Sequence, residues 1–203
     1  MDQPLSNEME TRIAEAATRV FVRKGKAGTS MQDVADEAMI NRTLLNYYFR
    51  SKDKLFDLVF QRVFVRFLPA LANVINASVP VEEKFRMVID QYHEILEESP
   101  YTAIFVLHEV STEPHRMVQA IGQSGIRPAT LLEEINREMD KGRLKKSDPR
   151  QLLVNLLSLI IFPFAARTVI EGILFSNDTE AFKRFIDDRK SYLKTYFVES
   201  VKA

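Results

Sequence analysis

No cysteine occurs anywhere in the 203 residues. That excludes disulfides, thiolate metal sites, zinc fingers and thiol chemistry, and it fits a reducing cytoplasm. Glycine and proline are scarce, at 6 and 8 residues, so the breaks in the chain are few and easy to place. Neither sign of charge dominates: 28 Lys and Arg stand against 28 Asp and Glu. A protein coated in basic residues is thereby excluded, but a local basic patch, which is what nucleic-acid contact needs, is not. The opening MDQPLSNEMETR lacks the basic start and apolar stretch of a signal peptide. The most apolar run, residues 152–166, is shorter than the roughly 20 residues of a membrane span and is interrupted by Asn155, Ser158 and Pro163. Strand-like alternation is sustained nowhere. With 46% hydrophobic and 28% charged residues, the expected class is a soluble, cytoplasmic, all-α protein.

What is present is helical spacing. Ile13, Ala16, Ala17, Val20 and Phe21 form an apolar stripe that stops at Gly25. Ser30, with Asp33 three residues on, reads as a capping box for a helix whose inner face is Met31, Val34, Ala35 and Ala38. Asn41 caps a third, short helix, and Ser51 a fourth, which carries Leu55, Leu58, Val59, Val63 and Phe67 until Pro69 kinks or ends it. Further helices are expected over 81–98, after Pro100, around 131–139 up to Gly142, and from Asp148-Pro149 to about Phe175 with a bend near Pro163. A last one carries Phe182, Phe185, Ile186, Leu193, Tyr196 and Phe197. The count is about nine main helices, with a short segment between Pro114 and Gly125. Short helices come first and long ones after, which suggests a small head (residues 1–50) on a larger helical body (51–203).

The stretch INRTLLNYYFRSKDKLF, residues 40–56, carries the chemistry. On a helix over 42–49, Leu45 and Phe49 fall within about 40° of each other and define a buried side. Tyr47 then lies roughly opposite, flanked by Thr43 and Leu44, with Arg42, Asn46 and Tyr48 at the edges. The preceding helix, a short connection at 39–41 and this helix make a helix-turn-helix, whose second helix enters the DNA major groove. Four basic residues and one acid lie between 42 and 54, so the stretch is locally positive in a neutral protein. Two short helices also occur in many all-helical proteins, so a helical protein-interaction module without DNA binding is the alternative.

Residues 13 to 55 resemble the N-terminal domain of the TetR (tetracycline-repressor-like) family of bacterial transcription regulators. The matching pieces are Ile13 to Ala17, Val20-Phe21, Gly25, Thr29 to Ala35, Ala38, Ile40 and the block Leu45 to Leu55. In the body, Lys141 to Leu144 with Asp148-Pro149 is similar to the family's lead-in to its eighth helix. The resemblance implies base-side contacts from Arg42, Thr43, Leu44 and Asn46, and phosphate contacts from Ser30, Tyr47, Tyr48 and Lys52. Two positions depart from the family: Met39 where a turn glycine is usual, and Asn46 where tyrosine is usual. A bulky residue is costly if the turn needs a positive φ, and an amide can read adenine in the major groove.

The resemblance also implies a small-molecule pocket in the body and a homodimer made through the last two long helices. The second point has independent support, because residues 152–166 are apolar around more of the helix than one core can use. Phe64, Phe67, Tyr92, Tyr101, Phe105, His108 and Phe162 supply more aromatic groups than a compact bundle needs and are candidate ligand contacts. His93, His108 and His115 form no metal-spacing motif, and nothing resembles a nucleophile elbow or phosphate loop, so no cofactor, metal or enzymatic activity is expected. The sequence therefore predicts a ligand-responsive regulator, a repressor released from a near-palindromic operator by a small molecule.

Overall fold

The structure, a computed structural model, describes residues 3–203, except for the side chains of residues 3–7, 65 and 66. It contains α1 (Gln3–Gly28), α2 (Met31–Glu37), α3 (Arg42–Tyr48), α4 (Lys52–Asn76), α5 (Val81–Glu98) and α6 (Tyr101–Thr112). There follow α7 (Pro114–Gln123), α8 (Pro128–Asp140), α9 (Pro149–Ala165), α10 (Arg167–Phe175) and α11 (Thr179–Val201). The described residues form no strand, only an isolated bridge between Leu144 and Lys202. The all-α expectation holds, with eleven helices in place of nine. The short segment after Pro114 is itself a helix, and the long helix expected to bend near Pro163 is two helices that meet at Ala166 with a 75° change of direction. Pro69, expected to kink or end α4, stands inside a helix that continues to Asn76.

Packing groups the residues into two compact units. One gathers the chain up to residue 66 together with 104–114; the other gathers 67–103 and 115–203. In the first unit α1 buries Ile13, Ala16, Ala17, Val20 and Phe21, and α2 contributes Val34, Ala35 and the flanking Ala38. The path of α1 breaks at Gly25, whose φ of 67° is open to glycine and strained for other residues. Three ion pairs fasten α2 to α1: Glu37 accepts from Arg19 at 2.8 Å and Arg23 at 2.5 Å, and Asp33 from Lys24 at 2.5 Å.

The turn after α2 shows how Met39 is accommodated. Its φ is 53°, so the position does require the left-handed conformation. The N–H of Met39 donates to Asp36 O at 3.0 Å, and that of Ile40 to Ala35 O at 3.0 Å. This is the Schellman arrangement, and the chain repeats it at the end of α8. There Gly142, with a φ of 72°, donates to Met139 O, and Arg143 donates to Glu138 O. Glycine is absent from the first turn, and the Arg12 guanidinium compensates by donating to Ala38 O (2.7 Å) and Met39 O (3.3 Å). A left-handed non-glycine residue costs about 1–2 kcal/mol, part of which glycine's greater unfolded-state freedom would cancel. Met39→Gly is therefore expected to stabilise the protein by about 1 kcal/mol, a rise of roughly 2–4 °C in thermal midpoint by circular dichroism. A fall in the midpoint would contradict this account of the turn.

In the second unit α11 packs along α5, with α9 against both. Lys190 pairs with Glu94 at 3.1 Å and Lys194 with Asp90 at 2.8 Å, and His93 Nε2–H donates to Ile186 O at 2.9 Å. Buried Lys84 donates to Ile75 O at the C-terminal end of α4 (2.7 Å) and to Glu134 of α8 (2.5 Å), a cation where the helix dipole is negative.

Pro163 inside α9 has no N–H, so the carbonyl of Leu159, four residues back, loses its helical donor. Arg189 of α11 replaces it: its guanidinium donates to Leu159 O at 3.1 Å. Burial lowers the Arg189 pKa, the direction expected for a partly desolvated cation. Arg189→Met should cost about 1–2 kcal/mol in chemical unfolding. The loss should shrink in a Pro163→Ala background, where an N–H is restored to Leu159. Equal losses in both backgrounds would show that Arg189 acts by packing alone.

Candidate nucleic-acid interface

The exposed face of α3 is built by local rules. Asn41 Oδ1 accepts the N–H of Leu44 at 2.7 Å and starts the helix. Leu45, fully buried, anchors it. The helix ends one residue earlier than the spacing predicts: Phe49 is extended (φ −132°, ψ 104°), caps the helix through its N–H to Leu45 O, and is half-buried. The wheel over 42–49 thus fails at its last position, but Tyr47 still faces away from Leu45 and is 80% exposed. Arg42, Thr43 and Asn46 share that open side, Leu44 lies at its edge, and Tyr48 is half-buried with its ring 5.4 Å from that of Tyr47, edge to face.

Six of the eight residues expected to meet DNA lie on α3, Lys52 is the first residue of α4, and Ser30 caps α2. The Ser30 hydroxyl is engaged in a capping box: it accepts the Asp33 N–H at 3.1 Å, while the Ser30 N–H donates to Asp33 Oδ2 at 2.8 Å. Lys52 Nζ is 3.4 Å from Ala27 O, a long, exposed contact that is easily given up. Among the described residues, Arg42, Arg50 and Lys54 form no ion pair, so three cations around the helix are left without a protein partner.

The acids behind this face are held charged. Lys24, then the Ser30 hydroxyl and N–H, keep Asp33 well below the usual carboxylate range, and Arg19 and Arg23 lower Glu37. Both shifts are downward, so their stabilisation is complete above the ordinary values of 3.8 and 4.5 and is lost as pH falls through the depressed ones. Asp33→Asn should flatten the acid limb of an unfolding titration followed by circular dichroism. An unchanged limb would place the acid sensitivity elsewhere. Sequence reasoning missed Arg12, Arg19 and Arg23, which orient α2 and its turn from partners 14–27 residues away. No local pattern marks such contacts.

The seven candidate ligand contacts are dispersed between the two units. In the first, Phe64 packs on Phe60 (centroids 4.3 Å) and buried Phe105 on Phe56 (5.8 Å). His108 lies beside Gly25, where a Cβ would come within 3.4 Å of its Nε2. In the second, Phe67 and Tyr92 meet edge to face at 4.9 Å, and burial pushes the Tyr92 hydroxyl up to about 12. Tyr101 and Phe162 are exposed. The second unit also has a cleft of about 380 Å³ over Phe164, Phe182 and Ile186, rimmed by Glu97, Arg167, Lys183 and Asp187. A wider one of about 840 Å³ includes Lys84, Glu134 and Arg137. None of the seven borders either cleft.

Residues 13–59 match the sequence model of a family described as bacterial regulatory proteins, tetR family. Over 192 residues, 92% of each chain, the protein is 23% identical to the probable HTH-type transcriptional regulator YttP of Bacillus subtilis (strain 168). Its fold is similar to that of HlyIIR, a hemolysin II transcriptional regulator, with a TM-score of 0.65, 22% identity and coverage of 98% of this chain and 99% of that one. It is also similar to AibR in complex with isovaleryl coenzyme A and operator DNA, with a TM-score of 0.60, 19% identity and coverage of 77% and 85%.

Proposed function

We propose that the chain, whose residues 13–59 match the tetR family of bacterial regulatory proteins, is a cytoplasmic, homodimeric repressor of that family, released from a near-palindromic operator by a small molecule. The observation that carries this is the free face of α3, where Arg42, Thr43, Asn46 and Tyr47 stand open and where, among the described residues, Arg42 and the nearby Arg50 and Lys54 form no ion pair, in a protein of zero net charge. In the helix-turn-helix pose α3 lies in the major groove. Arg42, Thr43, Leu44 and Asn46 then face base edges, with Leu44 suited to a thymine methyl, and Tyr47, Tyr48 and Lys52 face phosphates. Ser30 adds a phosphate contact at the start of α2.

Two heads reading a near-palindrome require a two-fold dimer. The face offered for it is on the last two long helices, α9 and α11. Val154 and Phe162 of α9 and Tyr192 and Tyr196 of α11 are all exposed, and the two tyrosine rings stack at 5.6 Å. AibR was solved with both an acyl coenzyme A and operator DNA, which supports an effector for this chain as well. The aromatic residues of the body, Phe67 and Tyr92 foremost, are the proposed contacts. Effector binding would alter the spacing of the two heads through α4, which begins at Lys52 directly after the recognition helix.

The test is DNA binding to a genomic fragment library across a salt series. Affinity should fall steeply with salt, with a log–log slope set by the phosphates neutralised. No binding at low salt by an intact dimer would overturn the reading, and a salt-indifferent affinity for a protein partner would favour an interaction module instead.

A further inference from the structure

The cleft of about 380 Å³ in the second unit is floored by buried Phe164, Phe182 and Ile186, and four charged side chains border it. α11 supplies one wall, because Thr179, Phe182, Lys183, Ile186 and Asp187 recur at helical spacing. Glu97, in the last turn of α5, and Arg167, at the start of α10, complete the charged rim. An unsatisfied group lies behind the floor. His93 is 2% exposed and touches three of the lining residues. Its ring meets Phe164 edge to face at 5.5 Å, its Nε2–H donates to Ile186 O at 2.9 Å, and its Nδ1 is 3.5 Å from Glu97 Oε1. With the proton on Nε2, Nδ1 is an acceptor, and it is buried with no hydrogen-bond partner among the described residues. Two acceptors, Nδ1 and the Glu97 carboxylate, thus lie side by side without a donor, an arrangement that costs free energy until a donor arrives.

The charges select the kind of ligand. Arg167 is already committed: it pairs with Glu171 at 3.2 Å and lies over the Phe182 ring. Among the described residues Lys183 and Asp187 form no ion pair, and Glu97 approaches only His93. Two carboxylates therefore stand open against one ammonium. An anion in the cleft would meet Glu97, Asp187 and the Nδ1 lone pair, with only Lys183 to receive it. A cation finds the opposite balance. We propose that this cleft is a binding site for a compact aromatic ammonium ion, with its ring on Phe164, Phe182 and Ile186 and its N–H groups toward Glu97 and Asp187. A volume of about 380 Å³ is at the lower end of the range for small-molecule sites and suits a single fused ring system. None of the aromatic residues proposed above as effector contacts borders the cleft, so the site is separate from that reading.

The chain has no tryptophan, so the fluorescence of a naphthalene ring is read against tyrosine alone. The full-length protein is titrated into 2-naphthylmethylamine, 2-naphthylmethanol and 2-naphthoate, and anisotropy is recorded. The amine should saturate about 10-fold tighter than the alcohol, and the carboxylate should bind weakest. Glu97→Gln with Asp187→Asn should weaken the amine by about the same factor, to the level of the alcohol. Both side chains are exposed, so the thermal midpoint of this variant should hold. In methyl NMR spectra the Ile186 signal, identified by its loss in Ile186→Val, should shift with the affinity that anisotropy reports. Equal affinity of the amine for wild type and double variant overturns the proposal, as does tighter binding of the carboxylate or no saturable binding of the amine. Operator binding is measured on the same samples. Its failure while the amine binds as expected overturns the repressor reading and leaves this site standing.

Discussion

Tyr48→Phe combined with Lys52→Ala should weaken binding to every DNA sequence by about 10- to 100-fold, without changing which sequence is preferred. The argument rests on what these groups do in the free protein. Among the described residues Lys52 makes only the long contact to Ala27 O, so removing its ammonium costs the fold little. Tyr48→Phe keeps the ring that meets Tyr47 edge to face and deletes only the hydroxyl. Both losses fall on phosphate contacts, which position the protein but carry no base information. Each dimer loses two ammonium groups, so the slope of log affinity against log salt should become shallower by about 2. A loss confined to one class of sequences would mean that one of the two residues reads bases. An unchanged slope would remove Lys52 from the phosphate set.

Asn46→Ala should do the opposite, leaving non-specific affinity nearly intact while relaxing the preference at one base pair in each half-site. Asn46 is exposed near the centre of α3 and, among the described residues, its amide makes no hydrogen bond. Nothing in the fold therefore requires it. A free amide at that point of a recognition helix fits the N6 and N7 of adenine, a pairing worth about 1–3 kcal/mol of discrimination. Selection from a randomised operator pool should show one adenine per half-site that the wild type requires and the variant does not, with roughly 10- to 100-fold less discrimination per half-site. Identical selected motifs from both proteins would assign sequence reading to Arg42, Thr43 and Leu44.

How far each feature could be read in advance follows from the range of its interactions. The capping box at Ser30 and Asp33, the Asn41 cap and the Asp148 cap with Pro149 all close within two or three residues, and each is found where its spacing predicts. The glycine stop at Gly142 is equally local. Phe49 departs from its expected place because a helical wheel assumes that the helix continues, whereas Phe49 leaves it in an extended conformation. The division of the long C-terminal helix was half legible: Pro163 marks it, but the chain turns at Ala166, three residues later.

Sequence by itself determined the helical class, the breaks, the caps and the chemistry of residues 40–56, because those depend on residue type at separations of a few positions. It also raised the question of Met39 without answering it. Only tertiary structure decided that the turn keeps its left-handed residue, Met39, through an arginine 27 positions earlier that donates to Ala38 O and Met39 O. Only tertiary structure decided which of the many apolar residues of α9, α10 and α11 are consumed by the core and which stay open. Burial depends on which elements come to lie side by side, and no short window of sequence contains that information.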